Sequence, residues 1–110
     1  MDRLVGRKMD YTIALKLGLD VAYYSNFNQS GEEIFFTDAP GYSTDIKAAM
    51  KILQILQNKK FMWSVNGSSE GGFWTVLYPP EGDVSETESC ITPEEAICQA
   101  FLQLEDDTLR

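Results

Sequence analysis

The sequence predicts an α+β domain in which a mainly antiparallel sheet is flanked by about three helices. Three stretches repeat their apolar residues at the helical spacing, and a hairpin pattern lies between the second and the third. No internal repeat or low-complexity linker interrupts the chain. Its 110 residues, 44% of them hydrophobic, suit one ordinary core, so we expect residues 1–110 to form a single domain.

The first helix is predicted over residues 2–17, where apolar residues recur every four positions and Gly18 provides a stop signal. Residues 19–42 then lose any clear period and become rich in aromatic residues. Within this stretch, residues 33–37 are predicted to form a short strand. We therefore expect an irregular, aromatic connection between the first two helices.

The second helix has the clearest pattern in the chain. Its apolar face is formed by Ile46, Ala49, Met50, Leu53 and Leu56. We expect Ser43 or Thr44 to cap its start, with Asp45 in the first turn, where a negative charge interacts favourably with the helix dipole.

A β-hairpin is predicted after this helix. Phe61, Trp63 and Val65 alternate with Met62 and Ser64, residues 66–72 form a polar turn, and residues 73–78 return as a second strand. Trp63 and Trp74 are expected to face each other across the hairpin, as core residues or as exposed anchors.

The last helix has a strong start signal. Thr92 is the predicted N-cap, Pro93 suits the first helical position, and Glu95 completes a capping box. Before this helix, residues 84–89 are expected to extend as a polar edge strand.

The residue inventory argues against most catalytic chemistry. The chain has no histidine, which removes the commonest general base and the commonest metal ligand. Cys90 and Cys98 have no ligand-like spacing, and we expect both to remain thiols. Asp38 and Asp45 are the enzymatic candidates, as ligands of Mg²⁺, but no nucleophile or phosphate motif accompanies them. We predict no catalytic residues, no metal site and no cofactor.

Negative charge is concentrated in the second half of the chain. The net charge is −8, and residues 61–110 carry ten acidic side chains against one basic side chain. Such a surface repels duplex nucleic acid, which needs clustered Lys and Arg. No stretch is long and apolar enough to suggest a membrane span or a signal sequence, so a cytoplasmic location is expected.

A ligand pocket is one hypothesis for the aromatic segment and the start of the second helix. Flat aromatic faces stack on bases, and the free N–H groups of a helix start bind anions. The candidate residues are Tyr24, Phe36, Tyr42, Ser43 and Thr44. The alternatives are that the aromatic residues fill the core and that the hydroxyls only cap the helix.

An acidic surface is the second hypothesis. Glu86, Glu88, Glu94 and Glu95 are candidates for contact with a basic groove on another protein, because complementary charge steers association. The alternative is that these carboxylates are only solvated.

Three segments resemble the phage ABA sandwich family. They are residues 36–46 (Phe-Thr-Asp-Ala-Pro-Gly-Tyr-Ser-Thr-Asp-Ile), residues 93–100 (Pro-Glu-Glu-Ala-Ile-Cys-Gln-Ala) and the start of the first helix, Asp2-Arg3-Leu4-Val5 with Lys8-Met9. The resemblance implies a three-layer α/β/α sandwich and a bacteriophage or prophage origin, and it implies no reaction.

From these observations we expect a non-catalytic phage protein that acts by binding, as a counter-defence or host-takeover factor. The expected partner is a host protein with a basic surface, engaged in the cytoplasm of the infected bacterium. The alternatives are a sponge that sequesters a small signalling nucleotide, with its pocket at a homodimer interface, and an accessory domain that only self-associates.

Overall fold

The computed structural model describes residues 6–109, so residues 2–5 of the predicted first helix lie outside the described residues. The elements follow in the order α1 (Gly6–Lys16), β1 (Tyr23–Phe27), β2 (Glu33–Thr37), α2 (Ile46–Asn58), β3 (Met62–Gly67), β4 (Phe73–Tyr78), β5 (Ser85–Glu86), α3 (Pro93–Gln103) and a 3₁₀ helix (Asp106–Leu109). The predicted α+β sandwich with antiparallel strands and three helices is confirmed. The strands form two sheets: the hairpin β1–β2 and the sheet β3-β4-β5.

The core lies between the helices and the three-stranded sheet. Helix α3 packs on all three strands of the second sheet and on α1 and α2, whereas α1 packs mainly on β2 of the first hairpin. The largest fully buried apolar side chains are Met9, Ile13, Ile52, Leu53, Leu56, Leu77, Ile97 and Phe101. Burying one such side chain contributes roughly 1.5–3 kcal/mol. The helices therefore hold the second sheet much more strongly than the first.

The two hairpins are closed by the same type of connection. Each has five residues, 28–32 in the first hairpin and 68–72 in the second. The N–H of the first residue donates to the carbonyl of the fifth, at 2.9 Å and 3.1 Å respectively. The fourth residue, Gly31 or Gly71, has a φ of 82° or 94°, which a side chain would disfavour. These connections fix the register of each strand pair.

The second hairpin corrects one sequence prediction. Trp63 lies opposite Leu77, and Trp74 lies opposite Asn66, so the two tryptophans do not face each other. The pair Trp63–Leu77 and the pair Asn66–Trp74 are three positions apart along the strands. Since side chains alternate between the two faces, the two tryptophans point to opposite faces of the sheet. Trp63 packs against the core, and its Nε1 donates to Gln57 Oε1 at 3.3 Å. Trp74 lies on the face turned away from the helices.

The start of α2 corrects a second prediction. The N-cap is Asp45, whose carboxylate accepts a hydrogen bond from the Lys47 N–H at 2.9 Å. Ser43 and Thr44 belong to the preceding turn, which closes through the Gly41 carbonyl. An aspartate suits the N-cap as well as a serine does, and its charge adds a favourable interaction with the helix dipole. At α3, the predicted Thr92 cap is confirmed by the Glu95 N–H, 3.2 Å from Thr92 Oγ1.

The predicted edge strand over residues 84–89 is shorter than expected. Strand β5 pairs with β4 only over Ser85 and Glu86, and the chain returns to β4 at an isolated bridge between Phe73 and Cys90. Between these points the Thr87 N–H donates to the Thr75 carbonyl. Within residues 6–109, no helix has the length and apolar character needed to cross a bilayer.

Candidate binding surface

One face of the first hairpin is anchored on α1 by three aromatic rings. Tyr11 of the helix contacts Tyr23 and Phe35, with ring centroids 4.9 Å and 6.0 Å away. Tyr23 and Phe35 stack on each other at 5.8 Å. Phe35 lies opposite Ser25, and Tyr23 is two residues from Ser25 on the same strand. Tyr23 and Phe35 therefore lie on the same face, toward α1. The hairpin is thus docked by contacts that its opposite face does not share.

Polar contacts add to this anchorage. Lys8 forms an ion pair with Glu33, which also accepts a hydrogen bond from Ser25 Oγ at 3.2 Å. The hydrogen bond from Lys8 lowers the pKa of the Glu33 carboxyl, although partial desolvation opposes it. Arg7 Nη2 donates to the carbonyls of Thr37 and Ala39, at 2.7 Å and 2.6 Å. The end of β2 is therefore fastened to the first turns of α1.

A buried carboxylate connects α1 to the segment before α2. Asp10 is fully buried and accepts hydrogen bonds from Arg7 Nη1 at 2.9 Å and from the Ser43 N–H at 2.7 Å. The Ser43 hydroxyl donates to the Gly6 carbonyl at 3.2 Å. A buried charge needs such partners, because an uncompensated one is costly. Arg7 and Asp10 together set the position of the hairpin relative to the core.

The other face of the hairpin is exposed and apolar at its centre. We call it the outer hairpin face; it consists of Tyr24, Asn26, Ile34 and Phe36. Tyr24 and Phe36 are 57% and 60% exposed, and their ring centroids are 6.4 Å apart. Asn26 Nδ2 donates to the Tyr24 hydroxyl at 2.9 Å, which orients that ring. Two adjacent aromatic side chains are therefore held in place yet largely uncovered.

The surroundings of this face are acidic. Between Lys16 and Lys47 the sequence has no basic residue. The exposed carboxylates of the hairpin and its flanks are Asp20, Glu32, Asp38 and Glu33, and the last of these lies on the face toward α1 and is paired with Lys8. Asp38 Oδ1 accepts the Ala22 N–H at 2.8 Å, so this carboxylate is fixed beside the aromatic pair. A shallow depression of about 390 Å³ lies there, lined by Ala22, Tyr23, Tyr24, Phe36, Thr37 and Asp38.

The structure separates the residues of the predicted ligand pocket. Tyr24 and Phe36 line the depression on the hairpin, whereas Ser43 and Thr44 line another one, of about 240 Å³, beside Glu95. Tyr42 is 4% exposed and belongs to the core. Burial raises the pKa of Tyr42, and the nearby charge of Asp10 raises it further.

The proposed anion cradle at the start of α2 is already occupied by protein groups. The Ser43 N–H is taken by Asp10, and the Lys47 N–H is taken by the Asp45 cap. A negative charge at Asp45 also repels an anion at this helix end. This segment therefore serves to tie α1 to α2.

The four candidate glutamates lie on other elements than the outer hairpin face. Glu86 is on β5, opposite Val76, and Glu88 follows it; both are exposed. Glu94 and Glu95 form the first turn of α3 and are partly buried there. Negative charge at this position stabilises the helix, which gives these two carboxylates a structural role.

The remaining candidates for chemistry have local structural partners. Asp38 and Asp45 each accept a backbone N–H. Cys90 and Cys98 are buried thiols, and burial raises the pKa of Cys98 far above its usual range. Among residues 6–109, no three His, Cys, Asp or Glu side chains come together in a way that suits a metal ion.

Several residues that create the surface were not predicted from the sequence. Asn26 and Ile34 complete the outer hairpin face, and Arg7 and Asp10 fix its position. One signal was available: Asp10 directly follows Met9 of the apolar repeat and lies three residues, nearly one helical turn, before Ile13. A carboxylate on the apolar face of a helix needs a buried partner.

Comparison with known proteins identifies the family. The family model of the Phage ABA sandwich domain matches residues 8–102, which include every strand and nearly all of the three helices. No curated protein and no solved structure shows significant similarity to the chain. Because the family model covers most of the sequence, the protein belongs to the Phage ABA sandwich domain family of bacteriophage proteins.

Proposed function

We propose that the protein acts by binding rather than by catalysis, and that its outer hairpin face docks on a host protein in the cytoplasm of the infected bacterium. The observation that carries this proposal is the exposure of Tyr24 and Phe36, an adjacent aromatic pair on a hairpin whose opposite face contacts α1 through Phe35 and through Tyr23, which itself remains 59% exposed. Such a factor would act in counter-defence or host takeover by occupying a surface that the host protein needs.

The arrangement has the composition of a protein-binding surface. Interfaces typically have an apolar centre enriched in aromatic residues and a polar rim, and a few central side chains provide most of the binding energy. Here Tyr24 and Phe36 form the centre, and the carboxylates of the hairpin form the rim. Anchorage on α1 limits the entropy lost when these rings are buried by a partner.

The negative charge of the rim favours a partner with a basic surface. A host protein with a basic surface around an apolar pocket is the complementary match, and a charged rim mainly accelerates association. Glu86 and Glu88 belong to the net charge of −8 that attracts such a partner at longer range. We therefore assign contact to the hairpin and steering to these glutamates.

The nucleotide sponge is the weaker candidate. The depression at Tyr24 and Phe36 has a volume in the range of small-molecule sites, and one base would stack on these rings. However, Asp38 lines the depression, and the basic side chains docked on the hairpin, Arg7 and Lys8, are already paired with Asp10 and Glu33. This electrostatic mismatch favours a protein over a nucleotide.

The test compares two matched variants isolated from infected host cells. Tyr24→Ala/Phe36→Ala removes the aromatic centre, and Phe27→Ala removes an aromatic residue that is 66% exposed on the other face of the hairpin. We expect native mass spectrometry to show a host protein bound to the wild type and to Phe27→Ala. Binding should be lost in the double variant at an unchanged melting temperature.

Two outcomes would contradict the proposal. Equal affinity of the wild type and the double variant for the captured protein would place the interface elsewhere. An added mass of a small molecule that disappears in the double variant would instead support the sponge.

Glu86→Lys/Glu88→Lys should slow association and leave dissociation nearly unchanged, because these residues act at long range.

A further inference from the structure

Strand β3 is an edge strand without the usual protection. It is the first strand in the order β3-β4-β5, and no described strand pairs with its other side. Its sequence, Met-Trp-Ser-Val-Asn-Gly, contains neither a charged residue nor a proline. Natural sheets usually protect an edge with charges, proline or a very short strand. The opposite edge follows that rule, since β5 has two residues and includes Glu86.

The charges at the two ends of β3 are of opposite sign. Lys59 and Lys60 precede the strand, and Glu70 lies in the connection that follows it. If a second copy pairs antiparallel to β3, the lysines of each copy come to the end where the other copy carries Glu70. Parallel pairing would bring lysines beside lysines, which is unfavourable. The charge pattern therefore suits antiparallel self-association.

Strand β1 also lacks charged residues, but its flanks exclude the same arrangement. Asp20 precedes it and Glu32 follows it, so both ends are acidic. Antiparallel pairing of two β1 strands would bring like charges together. Of these two edges, only β3 has complementary ends.

We infer that two copies of the chain pair through β3 about a twofold axis at Ser64, which makes one six-stranded antiparallel sheet. In this register Ser64 lies opposite Ser64 of the second copy. Met62 then lies opposite Asn66 of the second copy, and Trp63 opposite its Val65. Opposed residues in a sheet point to the same face, and this register satisfies that rule at every pair. A twofold interface uses the same surface on both copies and closes at a dimer.

The pairing covers apolar surface that is otherwise in water. Met62 is 72% exposed on the face turned away from the helices, and Tyr78 lies opposite it on β4. Across the dimer, Met62 becomes the neighbour of Asn66 of the second copy, which lies between it and Trp74 on the same face. Backbone hydrogen bonds along β3 provide affinity, as in other cases of strand addition.

A substitution at position 64 tests the pairing directly, because the twofold axis places residue 64 of one copy opposite residue 64 of the other. Ser64→Lys places two like charges directly opposite each other, while within one copy the side chain lies on the outer, partly exposed face of the sheet. We expect sedimentation equilibrium to give about twice 12.4 kDa for the wild type and 12.4 kDa for Ser64→Lys. Unchanged circular dichroism and melting temperature would show that the variant is folded.

Two cysteine variants test the register of the pairing. Ser64→Cys should form a covalent dimer under mild oxidation, because directly opposite Cβ atoms lie close enough for a disulfide. Ser69→Cys, in the connection after β3, is the matched control and should remain uncrosslinked, because its two copies lie at opposite ends of the interface. The native thiols, Cys90 and Cys98, are buried and do not interfere.

The proposal is overturned if the wild type sediments as a monomer, or if Ser64→Lys remains a dimer. Equal crosslinking of Ser64→Cys and Ser69→Cys would overturn the register. The Tyr24→Ala/Phe36→Ala variant should remain a dimer, because the outer hairpin face belongs to the other sheet. Host binding and self-association are thus tested separately.

Discussion

The two hairpins of this protein are closed by equivalent turns but have different surroundings. Both have a five-residue connection with the same backbone hydrogen bonds and a glycine in the left-handed region. Strand β4 contains three buried residues in succession, whereas every residue of β1 is exposed. Local turn chemistry therefore decides that a hairpin forms, and packing against helices decides how much of it is buried. The first hairpin is left with a face available for recognition.

The largest effect should come from the buried hairpin. Leu77→Ala on β4 removes a fully buried side chain from the core, so it should lower the free energy of unfolding by about 2–5 kcal/mol. Ile34→Ala, on the outer hairpin face, should cost less than about 1 kcal/mol. Urea denaturation monitored by tryptophan fluorescence would measure both. Similar losses in the two variants would show that the first hairpin contributes to the core.

The next effect concerns the link between the first hairpin and the core. Asp10→Ala leaves Arg7 Nη1 and the Ser43 N–H without their acceptor and should cost about 1–3 kcal/mol. We also expect faster hydrogen exchange of the β1–β2 amides relative to the β3–β4 amides. Asp10→Asn retains an acceptor and should cost less. Uniform acceleration across both hairpins would contradict a specific role in docking.

A smaller effect, of opposite sign, is expected inside the second sheet. The Thr75 hydroxyl is buried and has no hydrogen-bond partner among the described residues. Thr75→Val should therefore stabilise the protein by about 1 kcal/mol, because it removes an unsatisfied polar group. Thr87→Val is the matched control: Thr87 Oγ1 accepts the Thr75 N–H at 3.1 Å, so this variant should be destabilised. Thermal unfolding of the two variants should give shifts in opposite directions.

The smallest effect is the pH dependence of hairpin docking. The hydrogen bond from Lys8 lowers the pKa of Glu33 below its ordinary value of 4.5. The ion pair therefore contributes fully above pH 4.5 and is lost as the pH falls through the depressed pKa of the folded state. NMR shifts of the Tyr23 ring should follow this titration. In Glu33→Gln the same shifts should be nearly independent of pH.

Sequence patterns predicted the regular part of the fold better than its surface. Helices α2 and α3 have strong periodicity, and the capping box at Thr92 fixes the start of α3. Strand β1 was missed because Tyr-Tyr-Ser-Asn-Phe has no alternation of polar and apolar residues. Such alternation appears only when one face of a strand is buried and the other is solvated.

The predicted ligand site failed for a different reason. Tyr42, Ser43 and Thr44 were grouped with Tyr24 and Phe36 because they are near in sequence and similar in chemistry. Their separation depends on Asp10, 33 residues before Ser43, which takes the Ser43 N–H. Contacts between residues so far apart leave no local pattern in a single sequence. Tyr24 and Phe36 do lie together on the hairpin, but the surroundings of this pair depend on the fold.

Because the first hairpin is anchored on one face only, the residues of its two faces are under different structural constraints. Folding depends on the rings toward α1 and on Arg7, whereas the outer side chains at positions 24, 26, 34 and 36 contribute little to the core. Substitutions at these four positions should therefore be tolerated at almost no cost to folding. If the outer hairpin face docks on a host protein as proposed, this patch can vary while the scaffold stays constant.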